Sequence, residues 1–293
     1  MKETKERLVC SVTGEEARFY CRKPPADYYI TEDTGLIFVK DLPDVNAMAG
    51  YANDEYSSGL YRKYSQAPQF KHATFERRIR LIQNLGIREG RLLDVGCACG
   101  FFLETALTHG FDAWGVEFSK EAVALSRSDI QPRITLGDVN SLDQRSENKF
   151  DVIVAFDIIE HTQNPLRFLN DLRHLLRPGG YLVLSTPDTG HFLRYLMGSR
   201  WPMLQPLQHT FLFSKRAMRE VLQKSGFGNI RVRNADKSLS PDYLIDQIRQ
   251  HNPLLERLYQ LASRLIPKRI RTKAYAINIG EMFAFAQNPD QRC

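Results

Sequence analysis

The feature that most constrains this chain is the segment 91–100 (RLLDVGCACG), which is followed by an acidic residue at position 117. The apolar first half of the segment predicts a buried strand, and its small residues predict a tight turn. Residues 101–109 have helix-forming character and stop at Gly110. Strand, turn and helix together form a ligand-binding corner, because the N–H groups of the turn and of the helix start are exposed to polar ligand atoms.

Residues 112–117 (DAWGVE) predict a second strand, and Glu117 at its end is placed to accept the protons of both ribose hydroxyls. The corner is therefore expected to bind a nucleoside. A dinucleotide turn reads G-x-G-x-x-G, but here those positions hold Gly96, Ala98 and Phe101. A phenylalanine at the third position opposes the close helix packing of that motif.

Asp94 closes the first strand just before the turn, and a carboxylate there suits a cationic ligand better than a pyrophosphate. S-Adenosylmethionine carries an ammonium, a sulfonium and a ribose. With Asp94 and Glu117 in place, the chain resembles the class I S-adenosylmethionine-dependent methyltransferases, whose first motif is D/E-x-G-x-G-x-G. Ala98 replaces the middle glycine, and alanine is the least disruptive replacement if φ there is negative. The alternative is an ordinary structural turn.

The remaining sequence continues the alternation of strands and helices. Further strands are predicted within 134–139, 150–161, 181–187, 229–233 and 276–286, and helices within 165–176 and 214–225. This order predicts an α/β fold, a doubly wound, Rossmann-like, mostly parallel seven-stranded sheet with helices on both faces and a small N-terminal β-rich extension. The expected parts are an extension (1–50), a linker and helical lead-in (51–74) and a methyltransferase domain (75–290), with acceptor-side insertions at 188–213 and 238–275.

The resemblance implies S-adenosylmethionine as the cofactor, held at the carboxyl ends of the strands, where ligands of such sheets bind. In the family, the acid that ends the third strand, here Asp138, would hold the adenine amino group. The residues expected to bind the cofactor are Asp94, Gly96, Cys97, Ala98, Gly100, Phe102, Glu117, Phe118, Asp138, Val139, Phe156 and Asp157.

Two histidines are candidates for the catalytic base, because a hydroxyl acceptor must lose its proton during methyl transfer. His161 follows the fourth strand beside Glu160, and such an E-H pair is common in relatives, including the ubiquinone-biosynthesis O-methyltransferases. The alternative for His161 is a helix cap or a bond to the backbone. His209 stands in 205–214 (QPLQHTFLFS), which resembles the family's acceptor-side segment E-H-L-x-x-F-S. Its alternative is a hydrogen bond within a connecting loop.

The long connection 188–213 also contains His191, Arg194 and Trp201, which we expect to line the acceptor pocket. Connections of this length in a compact domain are often functional.

The N-terminal residues resemble a zinc ribbon that has lost its ligands. Cys10 and the threonines at positions 13, 31 and 34 fit the spacing of two C-x-x-C pairs, with three of four positions changed. A threonine hydroxyl does not replace a zinc-binding thiolate, so we expect no metal. The alternative is an unrelated β-hairpin extension.

Composition and cysteine usage favour a cytoplasmic protein. The chain has 293 residues, no apolar run long enough to span a bilayer, and no apolar segment of a signal peptide behind its charged start. Five cysteines, an odd number, fit reduced thiols. Cys97 and Cys99 are interpreted as small residues in a tight turn and not as a redox pair.

Most of the net charge of +6 lies in 244–273, which contains seven basic and two acidic residues with apolar residues at helical spacing. Such a segment packs on the core, lies on anionic lipid at the inner membrane face, or contacts nucleic acid. Nucleic acid is the least favoured partner, because the chain has no appended RNA-binding module and no cysteine placed for attack on a pyrimidine.

Three functions are therefore considered. The favoured one is methyl transfer to a small-molecule acceptor, at a hydroxyl of a sugar, glycolipid, quinone or natural product, including lipid-linked acceptors. The second is RNA methylation that uses 244–273 as a phosphate track. The third is a scaffold that binds the cofactor without turnover.

Overall fold

The computed structural model describes residues 8–44, 68–142, 149–242, 263, 266–273 and 275–289. The strands are β1 (Leu8–Val9), β2 (Glu16–Lys23), β3 (Ala26–Thr31), β4 (Ile37–Val39), β5 (Gly90–Val95), β6 (Phe111–Glu117), β7 (Ile134–Leu136), β8 (Phe150–Phe156), β9 (Leu176–Pro187), β10 (Phe211–Leu212), β11 (Gly228–Leu239) and β12 (Tyr275–Gln287). The helices are α1 (Pro68–Gln83), α2 (Phe101–Thr108), α3 (Lys120–Ala124), α4 (Pro165–Leu175), α5 (Phe192–Met197), α6 (Lys215–Lys224) and α7 (Lys268–Arg271).

Within the described residues, the main sheet has seven strands in the order β11-β12-β9-β8-β5-β6-β7. Strands β5 to β9 pair in parallel, and β12 runs antiparallel to both of its neighbours. In chain order, β6 and β7 are added on one side of β5, and β8 is then added on the other side. The ligand crevice of such a sheet lies at this reversal, outside the carboxyl ends of β5 and β8. The predicted fold class is confirmed.

Neighbouring apolar residues on the central strands face opposite sides of the sheet, which explains why helices cover both faces. Leu93 and Ile153 pack in a cluster with apolar residues of α4 and α6. Leu92 and Val152, one position earlier in each strand, pack with residues of α1 and α2. The near-continuous apolar runs of β5 and β8 therefore contribute side chains to two hydrophobic clusters, one on each face of the sheet.

The start of α4 follows from its sequence. The Asn164 side chain accepts a hydrogen bond from the Arg167 N–H at 3.0 Å, and Pro165 occupies the first turn. The helix predicted within 165–176 therefore begins at residue 165.

Two strand boundaries differ from the prediction. Residues 177–180 lie before the strand predicted within 181–187 but belong to β9. This strand begins at Leu176, which pairs with Phe150 ahead of a register shift. The sixth strand, predicted at 229–233, continues to Leu239 because β12 is long enough to pair with it.

The N-terminal extension is a second sheet that includes a strand from the main domain. Its order is β1-β2-β3-β4-β10, and β10 pairs antiparallel with β4. Trp201 is buried against this sheet in a cluster with Tyr28 and Ile37. The Trp201 ring is part of the core beneath the extension, and its assignment to an acceptor pocket stays a prediction.

The four ribbon-like positions are buried close to the turns of this sheet. Thr31 Oγ1 and Thr34 Oγ1 are 2.8 Å apart, and Thr31 Oγ1 accepts the Leu36 N–H at 2.9 Å. On the first turn, the Gly14 N–H donates to the Cys10 carbonyl at 2.8 Å. Hydrogen bonds thus hold the second turn at the positions where a ribbon would carry ligands. The relationship to a zinc ribbon stays an interpretation.

The linker residues 51–67 and most of the basic segment 244–273 lie outside the described residues. Of that segment, α7 carries the exposed residues Lys268 and Arg269, and Arg271 Nη1 lies 3.2 Å from Asp242 Oδ1. Across the described part of the chain, no helix is both long enough and apolar enough to cross a membrane.

Candidate active site

The turn between β5 and α2 requires its first and last glycines. Gly96 and Gly100 have φ of 73° and 78°. A Cβ on Gly96 would lie 2.2 Å from Ile158 Cδ1, and one on Gly100 would lie 2.7 Å from Ile130 Cγ2. Glycine is therefore needed at both positions for conformation and for space.

Ala98 has a positive φ, although its replacement of glycine was expected to be mild only if φ is negative. Its φ is 50°, in the left-handed region. The tight turn imposes this conformation and directs the Ala98 N–H to Glu117 Oε2 at 2.9 Å. The hydrogen bond offsets part of the strain, which amounts to roughly 1 kcal/mol for a residue with a Cβ.

Glu117 is buried at the end of β6 and is held by backbone donors. Oε1 accepts the Ser119 N–H at 2.9 Å, and Oε2 accepts the Ala98 N–H. Burial raises the pKa of Glu117, while the N–H groups of Ser119, Ala98 and Phe118 oppose that rise. A carboxylate offers about four acceptor positions, so a position remains for a further donor.

Asp94 and Arg78 are buried ionisable residues that interact with each other beside the turn. Burial raises the pKa of Asp94 well above its usual value, and the nearby Arg78 guanidinium opposes the rise. Arg78 is itself buried, packs 4.2 Å from the centre of the Phe156 ring, and reaches within 3.8 Å of Asp157 Oδ2.

Sequence reasoning missed Arg78. The available signal was a basic residue inside the apolar stripe of α1, where Phe75, Ile79 and Ile82 are all buried. A buried arginine needs partners, and its partners here come from strands far along the chain.

Asp157 and Glu160 follow β8 in the segment that leads to α4. Asp157 has a φ of 58°, its N–H donates to the Ser185 carbonyl, and its Oδ1 accepts from Ser185 Oγ at 2.8 Å. Glu160 is buried, and its Oε2 accepts from Thr186 Oγ1 at 2.9 Å. Burial raises the pKa of Glu160 well above its usual value, and the Asp157 charge adds to the rise.

The fold brings His161 and His209 together, with ring centres 5.0 Å apart. His161 Nδ1 is 3.0 Å from the Gln208 carbonyl, and His209 Nδ1 is 2.7 Å from the Met203 carbonyl. Since carbonyls only accept, both Nδ1 atoms carry the proton and both Nε2 atoms have a lone pair in the neutral rings. Burial lowers the pKa of both, that of His209 to about 4 with a further contribution from His161. The backbone bonds considered for these histidines are present, and the backbone of Asp157 also interacts with the His161 ring.

Comparison with known proteins decides the family. Residues 70–232 match the family model described as a methyltransferase domain, which is more than half of the chain. The chain belongs to the class I S-adenosylmethionine-dependent methyltransferases. The match begins close to the start of α1 and ends within β11.

Curated relatives of this methyltransferase include two ubiquinone biosynthesis O-methyltransferases. The one from Cereibacter sphaeroides is 30% identical over 119 residues, covering 39% of this chain and 48% of the relative. The one from Bordetella avium is 27% identical over 159 residues, covering 50% and 66%. The chain thus spans about half to two thirds of the length of these curated relatives.

Solved structures show the same fold for this methyltransferase. A Thermotoga maritima S-adenosylmethionine-dependent methyltransferase, described as a possible histamine N-methyltransferase, has a TM-score of 0.53 at 17% identity and covers 80% of this chain and 98% of that one. An Archaeoglobus fulgidus S-adenosylmethionine-dependent methyltransferase has a TM-score of 0.51 at 15% identity, covering 77% and 99%.

The cofactor residues predicted for this methyltransferase divide into two groups. Asp94, Glu117 and Asp157 have side chains at the carboxyl ends of their strands. The Cys97 thiol instead packs on β6, where a Cβ on Gly115 would lie 2.6 Å from its sulfur, and burial raises its pKa. The Phe102 ring lies in the core beneath the sheet. Only backbone groups of these last two residues are available to a ligand.

The residues that follow β6 and β7 are more exposed to solvent than those of the turn after β5. Phe118 is 52% exposed directly after β6. Asp138 is exposed and caps the turn Val139–Ser141, with Oδ1 accepting the Asn140 N–H at 2.9 Å. Val139 is buried under this cap.

Proposed function

We propose that this protein transfers a methyl group from S-adenosylmethionine to a hydroxyl of a small-molecule acceptor. The observation that carries the proposal is the pair of neutral histidines, His161 and His209, beside the acidic residues that end β8. When bound, S-adenosylmethionine supplies an electrophilic methyl group, so the protein has to place and deprotonate the acceptor.

The corner fits this cofactor by its charges and hydrogen-bonding positions. Glu117 retains an acceptor position for a ribose hydroxyl, and Asp94 is the carboxylate that suits the ammonium group. We assign Arg78 to the cofactor carboxylate, because it is the buried cation between Asp94 and Asp157. Phe118 and Asp138 are assigned to the adenine end.

The lowered pKa values of His161 and His209 keep both rings unprotonated at neutral pH, although a pKa of about 4 makes His209 a weak base. Each ring is neutral there and is anchored through Nδ1, so Nε2 has a fixed direction. The His209 carbonyl also accepts a hydrogen bond from the Tyr28 hydroxyl at 2.8 Å, which ties the candidate base to the N-terminal sheet.

The acceptor class rests on the site and on the names of the relatives. Hydroxyl chemistry is favoured because the site places proton-accepting groups after β8, and the curated relatives are O-methyltransferases by name. Within that class we propose sugars, glycolipids, quinones or natural products as acceptors, including lipid-linked ones. We further propose that the enzyme is in the cytoplasm and that residues 244–273 contact the inner membrane face.

The first test is calorimetry of the full chain with S-adenosylmethionine and, separately, NADH. We expect S-adenosylmethionine alone to bind, and Glu117→Ala to weaken its binding at least tenfold, because a buried acceptor of the ribose hydroxyls is lost. Glu121→Gln is the matched control, an exposed glutamate four residues away that should bind like the unchanged protein.

Equal affinity of Glu117→Ala and the unchanged protein would remove Glu117 from the site. Cofactor binding without transfer to any hydroxylated acceptor would favour the scaffold function instead. Acceptors are screened by transfer of radiolabelled methyl groups to sugars, quinones and lipid-linked compounds.

A further inference from the structure

A polar cavity lies where the N-terminal sheet meets α4 and α6. Its wall is formed by the turn after β1, by residues 163–167 with two further positions of α4, and by the end of α6 with the two residues that follow it. The cavity has a volume of about 560 Å³, which is within the range of about 300–1,000 Å³ typical of small-molecule sites. Its lining includes neither the cofactor corner nor a candidate base, so it is a separate candidate site.

The charged side chains that line this cavity are all basic. They are Arg167, Arg173 and Lys224, and the described lining contains no carboxylate. Asp171 Oδ2 lies 3.9 Å from Arg167 Nε, and Glu220 Oε1 lies 2.9 Å from Lys224 Nζ. Pairs of this kind, four residues apart on one helix, are weak in water. Both cations therefore remain able to attract a further anion.

Arg173 has no carboxylate partner among the described residues. Its Nη2 donates to the neutral Asn170 side chain at 3.5 Å. Its Nε is buried and has no hydrogen-bond partner in the described part of the chain. A buried donor without an acceptor is unfavourable, because it has lost its bonds to water. An anion beside Arg173 supplies that acceptor, since a guanidinium binds two phosphate oxygens through neighbouring N–H groups.

Two features of the backbone favour an anion at this place. Gly226 follows α6, and a Cβ there would lie 3.4 Å from Arg173 Nε and 3.6 Å from its Cζ. Glycine therefore leaves that side of the guanidinium uncovered. The first turn of α4 also lines the cavity, and the N-terminal end of a helix carries partial positive charge.

The uncharged lining is mainly polar. Ser11, Asn170 and Ser225 contribute hydroxyl and amide groups, whereas the apolar side chains are those of Val12, Pro165 and Leu166. A lining rich in hydrogen-bonding groups favours a ligand that carries hydroxyls over an apolar or aromatic one.

We propose that this cavity binds a small phosphorylated and hydroxylated metabolite of the sugar phosphate class. Arg173 and Lys224, which lie on either side of Gly226, bind the phosphate. The Arg173 side chain rotates on binding so that Nε and Nη2 face its oxygens. Arg167 is six residues from Arg173, roughly 9 Å along α4, and adds positive charge at the other end of the cavity.

The test is calorimetry of the full chain with glucose 6-phosphate at about 0.15 M salt, where attraction between exposed charges is largely screened. We expect one molecule to bind per chain with submillimolar affinity. Glucose, which lacks the phosphate, should not bind. Vesicles containing phosphatidic acid test the other source of a phosphate monoester, a lipid headgroup.

The variants locate the binding. Arg173→Gln should weaken the binding of glucose 6-phosphate at least about tenfold, because a paired, charge-assisted contact is lost. Arg167→Gln, at a more exposed side chain, should weaken it about threefold and keeps the test valid if Arg173→Gln does not fold. Arg216→Gln is the control, since it removes the same charge from an exposed position of α6, roughly 12 Å along the helix from Lys224.

The phosphate site would be overturned by the absence of binding at millimolar glucose 6-phosphate, or by equal binding of glucose. Unaltered affinity in both Arg173→Gln and Arg167→Gln would also overturn it. Binding to the vesicles alone would overturn the small-molecule ligand.

Calorimetry with S-adenosylmethionine on the same variants keeps this site apart from the proposed function. The affinity for the cofactor should stay within twofold in Arg173→Gln, because the cavity and the cofactor corner share no residue. Loss of cofactor binding in the unchanged protein would count against the proposed function and leave the phosphate site standing. Near-ultraviolet circular dichroism establishes that each variant is folded.

Discussion

Ala98 holds a backbone conformation that L-residues rarely adopt, at the centre of the cofactor corner. Its φ of 50° follows from the closure of the turn and from the bond between its N–H and Glu117. The corner therefore carries local strain at the position where the family motif has a glycine. At the scale of single residues, this strain is the main departure from what the motif predicts.

Ala98→Gly should raise the free energy of unfolding. Relief of the left-handed strain gains about 1–2 kcal/mol, and the extra freedom of glycine in the unfolded chain costs about 0.5–1 kcal/mol. The expected net gain of about 0.5–1 kcal/mol is measured by urea unfolding. Ala106→Gly in α2 is the control, where a buried helical alanine gives a loss of about 1 kcal/mol or more. A loss of similar size for both variants would contradict strain at Ala98.

At the scale of elements, helix starts were predictable and strand ends were not. Asn164 caps α4 through a bond three residues away, so the signal is local in sequence. The start of β9 depends instead on pairing with Phe150 of β8, and the length of β11 depends on pairing with β12, which lies up to about sixty residues away. No local pattern records how far a distant partner strand extends.

Asn164→Ala should lower the free energy of unfolding by about 1 kcal/mol, because the Arg167 N–H loses its acceptor at the helix start. Asn164→Asp keeps an acceptor and is expected to stay within about 0.5 kcal/mol of the unchanged protein. Urea unfolding of the three proteins measures both effects. If aspartate lowers stability as much as alanine does, the cap does not contribute in this way.

At the scale of the whole molecule, the N-terminal sheet packs against the segment that contains His209. Strand β10 completes that sheet, and the Tyr28 hydroxyl donates to the His209 carbonyl. The extension is therefore linked to a candidate catalytic residue through the backbone, while the cofactor corner is built by α1 and the main sheet.

Tyr28→Phe should lower the free energy of unfolding by about 1–3 kcal/mol, because a buried carbonyl loses its donor. The affinity for S-adenosylmethionine should stay within twofold, since the corner does not contact Tyr28. Tyr29→Phe is the control, because that ring lies half-buried against Phe38 and should tolerate the change. A large loss of cofactor affinity in Tyr28→Phe would show that the two regions are coupled.

The strand–turn–helix corner from β5 to α2 could be predicted from the sequence because its parts are nearly contiguous. The residues from Asp94 to Gly100 form one turn, and Glu117 ends the next strand, so spacing alone brings them together. Arg78 was missed because its partners Asp94 and Asp157 lie at the ends of β5 and β8, and the packing of Trp201 was not predicted because its contacts lie in the N-terminal sheet. Both residues have neighbours that are distant in sequence.

The order of strands and helices, the doubly wound sheet and the resemblance to methyltransferases could all be predicted from sequence patterns, because periodicity and motif spacing are local properties. The structure was needed to show that His161 and His209, forty-eight positions apart, lie close to each other and to Glu160. It also decided the conformation of Ala98 and the burial of Arg78. Long-range packing sets these features, since a side chain's environment is made by residues that its own segment does not contain.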